Sequence, residues 1–159
     1  AGTAVGILAT DGTLRSGLYQ RALEARGLVP VAPQLDSAVQ AAVRAAVYDD
    51  RTGIKATGAE VSAVARERLA GAATGCADRG AQVVGLGCTE VAVGLSAEGF
   101  TAAKLVDPLD VAADALLDLA AGRRAPGSFR SQAAGGGVPG GAVAADAAIE
   151  AAGAAGGSP

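Results

Sequence analysis

The sequence predicts an α/β domain, three layers deep, with a four-stranded, mainly parallel sheet flanked by helices. The chain has 159 residues, enough for one compact domain of ordinary size and not for two. Its first 121 residues alternate short β-branched runs with longer Ala-rich stretches of helical spacing, the pattern of strand–helix–strand crossovers. The clearest apolar runs stop at a polar turn, as strands buried on both faces do.

Val5-Gly6-Ile7-Leu8-Ala9 is the first such run, ended by Thr10-Asp11-Gly12-Thr13. Helical spacing follows, with Leu18, Ala22 and Ala25 on one face and Gly27 as the stop. Leu28 to Ala32 is a second strand, which Pro30 and Pro33 confine to an edge or shorten. Asp36 or Ser37 can cap the next helix, whose Val39, Val43 and Val47 recur every four residues. A loop from Asp49 to Gly58 leads to a long helix from about Ala59 to Arg79. Gln82 to Gly87 is the third strand, running into Cys88-Thr89-Glu90, and Lys104-Leu105-Val106 is the fourth. Asp107-Pro108 opens a last helix, with proline in the first turn, where no N–H is needed. In a parallel sheet the turns starting at Thr10, Cys88 and Asp107 gather at the carboxyl rim, where ligands bind.

The segment 122–159 reads differently. From Ala133 to Pro159, 11 of 27 residues are Ala and 8 are Gly, which offers little to bury against a high backbone entropy cost. The expectation is a disordered or loosely attached tail, with a transient helix at most over Ala142 to Ala152.

Composition excludes several functions. A net charge of −3 argues against a nucleic-acid partner, which would require clustered Lys and Arg. No apolar run of about 18 residues and no charged-then-apolar leader is present, so neither a membrane partner nor export is expected, and a cytoplasmic site is. The chain has no His, which removes Ser-His-Asp and Cys-His catalysis and His metal sites, and no metal site is expected from its two Cys. It begins at Ala1, consistent with initiator removal or with a piece of a longer protein. Only Lys55 and Lys104 of its 13 basic residues are Lys.

Cys88 is the foremost candidate for chemistry. A thiol between a strand end and a helix start meets the positive end of that helix, which lowers its pKa towards the reactive range. The alternative is a small buried hydrophobe. Cys76, late in the long helix among Ala and Gly, is core. Thr10 and Thr13, with Ser16-Gly17 following, have the hydroxyls and permissive backbone of an anion-binding turn, though a plain helix cap has the same composition. Lys55, amid small residues, can hold a substrate carboxylate or stand solvated in its loop. Asp107 is a helix N-cap.

Taken together, these stretches resemble the second lobe of the aspartate/glutamate racemase family. The matching segments are Val5 to Thr13 with Ser16-Gly17-Leu18-Tyr19, Ile54-Lys55-Ala56, Gly87-Cys88-Thr89-Glu90 and Leu105-Val106-Asp107-Pro108, in the family's order, over about residues 4 to 121. Gly-Cys-Thr-Glu is the specific element; Glu90, where glutamate racemases usually carry His, resembles the aspartate-racemase, broader-specificity branch.

The resemblance implies two mirrored lobes, each presenting one Cys to opposite faces of a substrate α-carbon, without pyridoxal phosphate or another cofactor. One thiolate removes the α-proton and the other thiol returns one. Cys88 would be this lobe's acid/base. Thr10, Thr13 and Thr89 would hold the α-carboxylate, Lys55 a substrate carboxylate, and Glu90 would tune Cys88 or orient the amino group. The substrate would be a small amino acid or dicarboxylate. The first lobe, with its own strand-end Cys, is missing, and Cys76 does not match it. The expectation is that the chain is a fragment of a longer enzyme carrying that lobe, or pairs with another chain, a homo-oligomer included, or is inactive. Two competing functions follow: a one-cysteine decarboxylase or isomerase of small dicarboxylates, and a non-catalytic binding domain of the same fold.

Overall fold

A computed structural model describes residues 2–96 and 98–125. Strands β1 (Ala4–Leu8), β2 (Val29–Val31), β3 (Val83–Leu86) and β4 (Lys104–Val106) form one sheet in the order β2-β1-β3-β4, and every pair is parallel. The expected edge position of the proline-bearing strand holds: β2 carries Pro30 and pairs on one side only. Helices α1 (Asp11–Ser16), α2 (Leu18–Glu24), α3 (Ala38–Tyr48), α4 (Ile54–Thr57), α5 (Ala63–Ala77), α6 (Thr89–Gly94) and α7 (Pro108–Ala120) connect and follow the strands.

The pleat of β1 sorts its side chains into two cores. Val5, Ile7 and Ala9 face one side with Leu14 of α1 and Leu23 of α2, while Leu8 faces the other with α3, α5 and α6. The larger core joins Leu8, Val84 and Leu86 of the sheet to Val43, Val47, Leu69 and Val91 of the helices. Ala65, Ala72, Ala73 and Cys76 make up the rest of the buried face of α5, and such small side chains let this helix approach the sheet closely. Gly6 makes that approach possible: a Cβ there would lie 2.8 Å from Val84 Cγ2 and 3.0 Å from Cys76 Cβ. Cys76 is fully buried in this core, as its neighbours in sequence imply.

Several details of the helices differ from the sequence expectation. The first helical stretch is two helices, because Gly17 adopts a left-handed φ of 64° between them. Ala25 lies past the end of α2 and is exposed, so Leu14 and Leu23 carry the buried face. Gly27 is the expected stop, and its positive φ of 72° returns Leu28 N to Leu23 O at 3.1 Å. On α3, Val39 is 37% exposed while Gln40 is fully buried, so the inward stripe is Gln40, Val43, Ala46 and Val47. Ser37, one of the two expected caps, accepts from Gln40 N at 3.2 Å. The expected loop contains α4, and the long helix starts at Ala63, capped by Ser62.

Ser62 Oγ accepts from Ala65 N at 3.1 Å and donates to Thr52 O at 2.6 Å, tying α5 to the turn before α4. Ser62→Ala is expected to lower stability by about 1 kcal/mol or somewhat more, read as a fall in the denaturant midpoint at unchanged slope.

Asp107 caps α7 as expected, its Oδ1 accepting from Leu109 N at 2.8 Å. After α7, Arg123 and Arg124 fold back on Asp118 at 2.8 and 3.6 Å. The rest of the expected tail, 126–159, lies outside the described residues. Among the described residues no helix is long and apolar enough to cross a membrane.

Candidate active site

The order β2-β1-β3-β4 means that the chain winds outward from β1 in one direction and then returns to continue from its other side. The carboxyl ends of β1 and β3 flank this reversal, where open α/β sheets leave a crevice. Register aligns the two ends: Leu8 pairs with Leu86, and Gly87 N donates to Leu8 O at 2.7 Å. Thr10 and Cys88, each two residues further on, leave the sheet side by side at this edge.

Cys88 is half-buried and sits at the N-cap of α6. Its Sγ donates to Glu90 Oε2 at 2.9 Å, and Thr89 Oγ1 donates to the same oxygen at 2.9 Å. Lys55 Nζ lies 3.5 Å from the other oxygen, Oε1, and 5.0 Å from the centre of the Tyr48 ring. Lys55 belongs to the short helix α4, not to a loop, and Glu90 and Tyr48 flank its ammonium. One carboxylate thus collects a thiol, a hydroxyl and an ammonium. Gly53 sets the position of α4: a Cβ there would meet Asp49 N at 2.5 Å and Asp49 O at 2.6 Å.

These contacts oppose the expected lowering of the Cys88 pKa. Burial pushes the thiol above its ordinary 9.0, and the hydrogen bond to the Glu90 carboxylate pushes it further. The amides of Glu90 and Val91 pull the other way, but the sulfur makes no capping hydrogen bond to α6, a helix of only six residues. Glu90 shows the reciprocal effect: the thiol's hydrogen bond, then its own amide, Thr89 and Lys55, hold it down to about 2. Glu90 therefore adds stability above its ordinary 4.5, and this is lost as pH falls towards 2. Glu90→Gln removes the carboxylate that disfavours the thiolate, so Cys88 should alkylate severalfold faster with iodoacetamide at pH 8, its midpoint moving down in pH.

Thr10 and Thr13 face each other, with hydroxyl oxygens 3.3 Å apart. They occupy the same sheet edge as Cys88 but make no side-chain hydrogen bond to the Cys88–Glu90 group, so the site has two parts. Thr10 is the N-cap residue of α1 without a capping side-chain bond, which leaves its hydroxyl to Thr13. Asp11, beside it, is held by Gln40 Nε2 at 2.9 Å and by Arg44 at 3.0 and 2.7 Å, and this holds its carboxyl below the usual range.

Sequence reasoning missed Tyr19 as part of this rim. Its ring covers Gly87, where a Cβ would meet Tyr19 Cε2 at 3.0 Å. Burial raises its phenol, and the charges of Asp107 and Cys88 raise it further. The signal was its place three residues after Ser16 in the segment that leaves the first turn. Cys76, by contrast, is enclosed by the core, which pushes its thiol up.

The fold and its rim define a doubly wound α/β domain with a cysteine and a carboxylate at the sheet's reversal point. The Asp/Glu/hydantoin racemase family model matches residues 1–116, and the chain belongs to that family. The class of reaction is thus racemisation in general terms, an isomerase activity.

Proposed function

We propose that this domain is the C-terminal catalytic lobe of a cofactor-independent amino-acid racemase of aspartate or glutamate type, with Cys88 as its acid/base. The observation that carries the reading is Cys88 at the sheet's reversal point, its Sγ donating to Glu90 Oε2 at 2.9 Å. A thiol held in its neutral form suits proton donation to a carbanion.

In this mechanism the hydroxyls of Thr10, Thr13 and Thr89 hold the α-carboxylate, and Lys55 holds a second carboxylate, of the side chain. A thiolate of the complementary lobe takes the α-proton. The C–H electron pair passes into the α-carboxylate system, and Cys88 delivers its own proton to the opposite face of the carbon. The S–H bond breaks as the new C–H bond forms, and Cys88 ends as the thiolate that takes the proton in the reverse direction. Glu90 keeps Cys88 protonated between turnovers and marks the aspartate-like branch.

The complementary lobe enters through an uncovered surface. Leu109, Leu116 and Leu117 of α7 are exposed, an apolar stretch such as a second lobe would cover. The test supplies that lobe, in one polypeptide or as a partner chain, and incubates L-aspartate or L-glutamate in heavy water. Loss of the α-proton signal together with appearance of the D-enantiomer supports the reading. The upward shift of the thiol favours one alternative, a non-catalytic binding domain, for which no exchange occurs while dicarboxylates still bind.

A further inference from the structure

We infer that Gln40 is a positioning residue for the carboxylate-binding turn at Thr10, acting with Asp11 and Arg44 as a clasp around that residue. The inference rests on the proposed function for its ligand and goes beyond it in assigning a role to three residues that touch no substrate.

Gln40 is the one polar residue among the fully buried side chains of the described residues. Its Nε2 donates twice, to Ala9 O at 3.0 Å and to Asp11 Oδ1 at 2.9 Å. Those acceptors belong to the residues immediately before and after Thr10, so a single amide group grips the turn on both sides of it. Arg44, one helical turn further along α3, holds the remaining oxygen of Asp11, its Nε and Nη2 donating to Oδ2 at 3.0 and 2.7 Å. Such a two-pronged guanidinium–carboxylate pair fixes direction as well as distance.

Gln40 Oε1 is buried without a hydrogen-bond partner. An unsatisfied buried acceptor costs stability, and methionine would fill the same space without that cost. What Met cannot supply is the pair of N–H donors. The arrangement thus sacrifices stability to hold Ala9, Thr10 and Asp11 in one geometry. That geometry aims the Thr10 hydroxyl at Thr13 rather than at the α1 amides, leaving the turn's two hydroxyls together.

The test uses protection of Cys88 from iodoacetamide by malonate, a binding readout that needs no turnover; buried Cys76 serves as the slow internal reference. In the unaltered chain, with the complementary lobe present, malonate should slow Cys88 alkylation. Gln40→Met should raise the malonate concentration needed by about tenfold, with the malonate-free alkylation rate unchanged. In exchange assays it should raise KM and leave kcat nearly constant. Arg44→Met, at a surface position, should shift both readouts the same way by less, and covers the case in which Gln40→Met does not fold. Unchanged malonate protection in a folded Gln40→Met, or in Arg44→Met when the first does not fold, overturns the clasp. No protection in the unaltered chain overturns the carboxylate-site reading, and the clasp with it. Exchange absent but protection present and weakened by Gln40→Met removes the racemase reading alone and keeps the clasp.

Discussion

Cys88→Ala is expected to reduce α-proton exchange by about 10²–10⁴-fold, the usual contribution of a positioned general acid or base. At about 1.36 kcal/mol per tenfold this is among the largest effects one side chain can have on rate without changing the fold. The substitution removes a half-buried group from the rim and only one side-chain hydrogen bond, to Glu90. Stability should therefore change little, and the melting temperature separates chemistry from folding. The paired control is Cys76→Ala: that sulfur is enclosed in the main core, so the loss should appear in stability while exchange continues. Exchange surviving in Cys88→Ala would remove this thiol from the mechanism.

Leu69→Ala should have the largest effect on folding, about 2–5 kcal/mol from lost burial plus the cavity left behind. Against a total of about 5–15 kcal/mol, that takes much of the stability of a domain this size. Leu69 is fully buried, and its Cδ1 and Ile54 Cδ1 both close on Gly94, where an added Cβ would lie 2.6 Å from each. Ile54 precedes Lys55 on α4, and Gly94 ends the helix that carries Glu90. The cavity would open directly beneath both. A folded Leu69→Ala protein should therefore also show a weakened Lys55–Glu90 contact, seen as a changed pH profile of Cys88 alkylation. A loss under about 1 kcal/mol would mean that the neighbouring alanines close over the gap.

β1 and β3 were legible because their central position buries both faces and leaves an uninterrupted apolar run that ends at a turn. Lys104 to Val106, at the sheet edge and only partly buried, was found in place because the Asp107-Pro108 helix start bounds it. Gln40 was not legible. Val39, Val43 and Val47 have helical spacing, yet the burial of Ala46 beside Val47 rotates the inward face by one residue. Two acceptors distant in sequence, the Ala9 carbonyl and the Asp11 carboxylate, explain a polar side chain there. The four residues of α4 are too few to show a period, so Lys55 looked like a loop residue. Cys88 was found from its strand end, but the direction of its pKa was not, since it depends on burial and on the side-chain orientation of Glu90.

The chain has no tryptophan and two tyrosines. Tyr19 covers Gly87 beside the thiol, and Tyr48 lies under the Lys55 ammonium. All of the tyrosine emission of this polypeptide therefore arises from two rings, Tyr19 against the Cys88 side of the rim and Tyr48 against the Lys55 side. Fluorescence excited near the phenol band reports on that crevice directly, without an extrinsic dye or an engineered label.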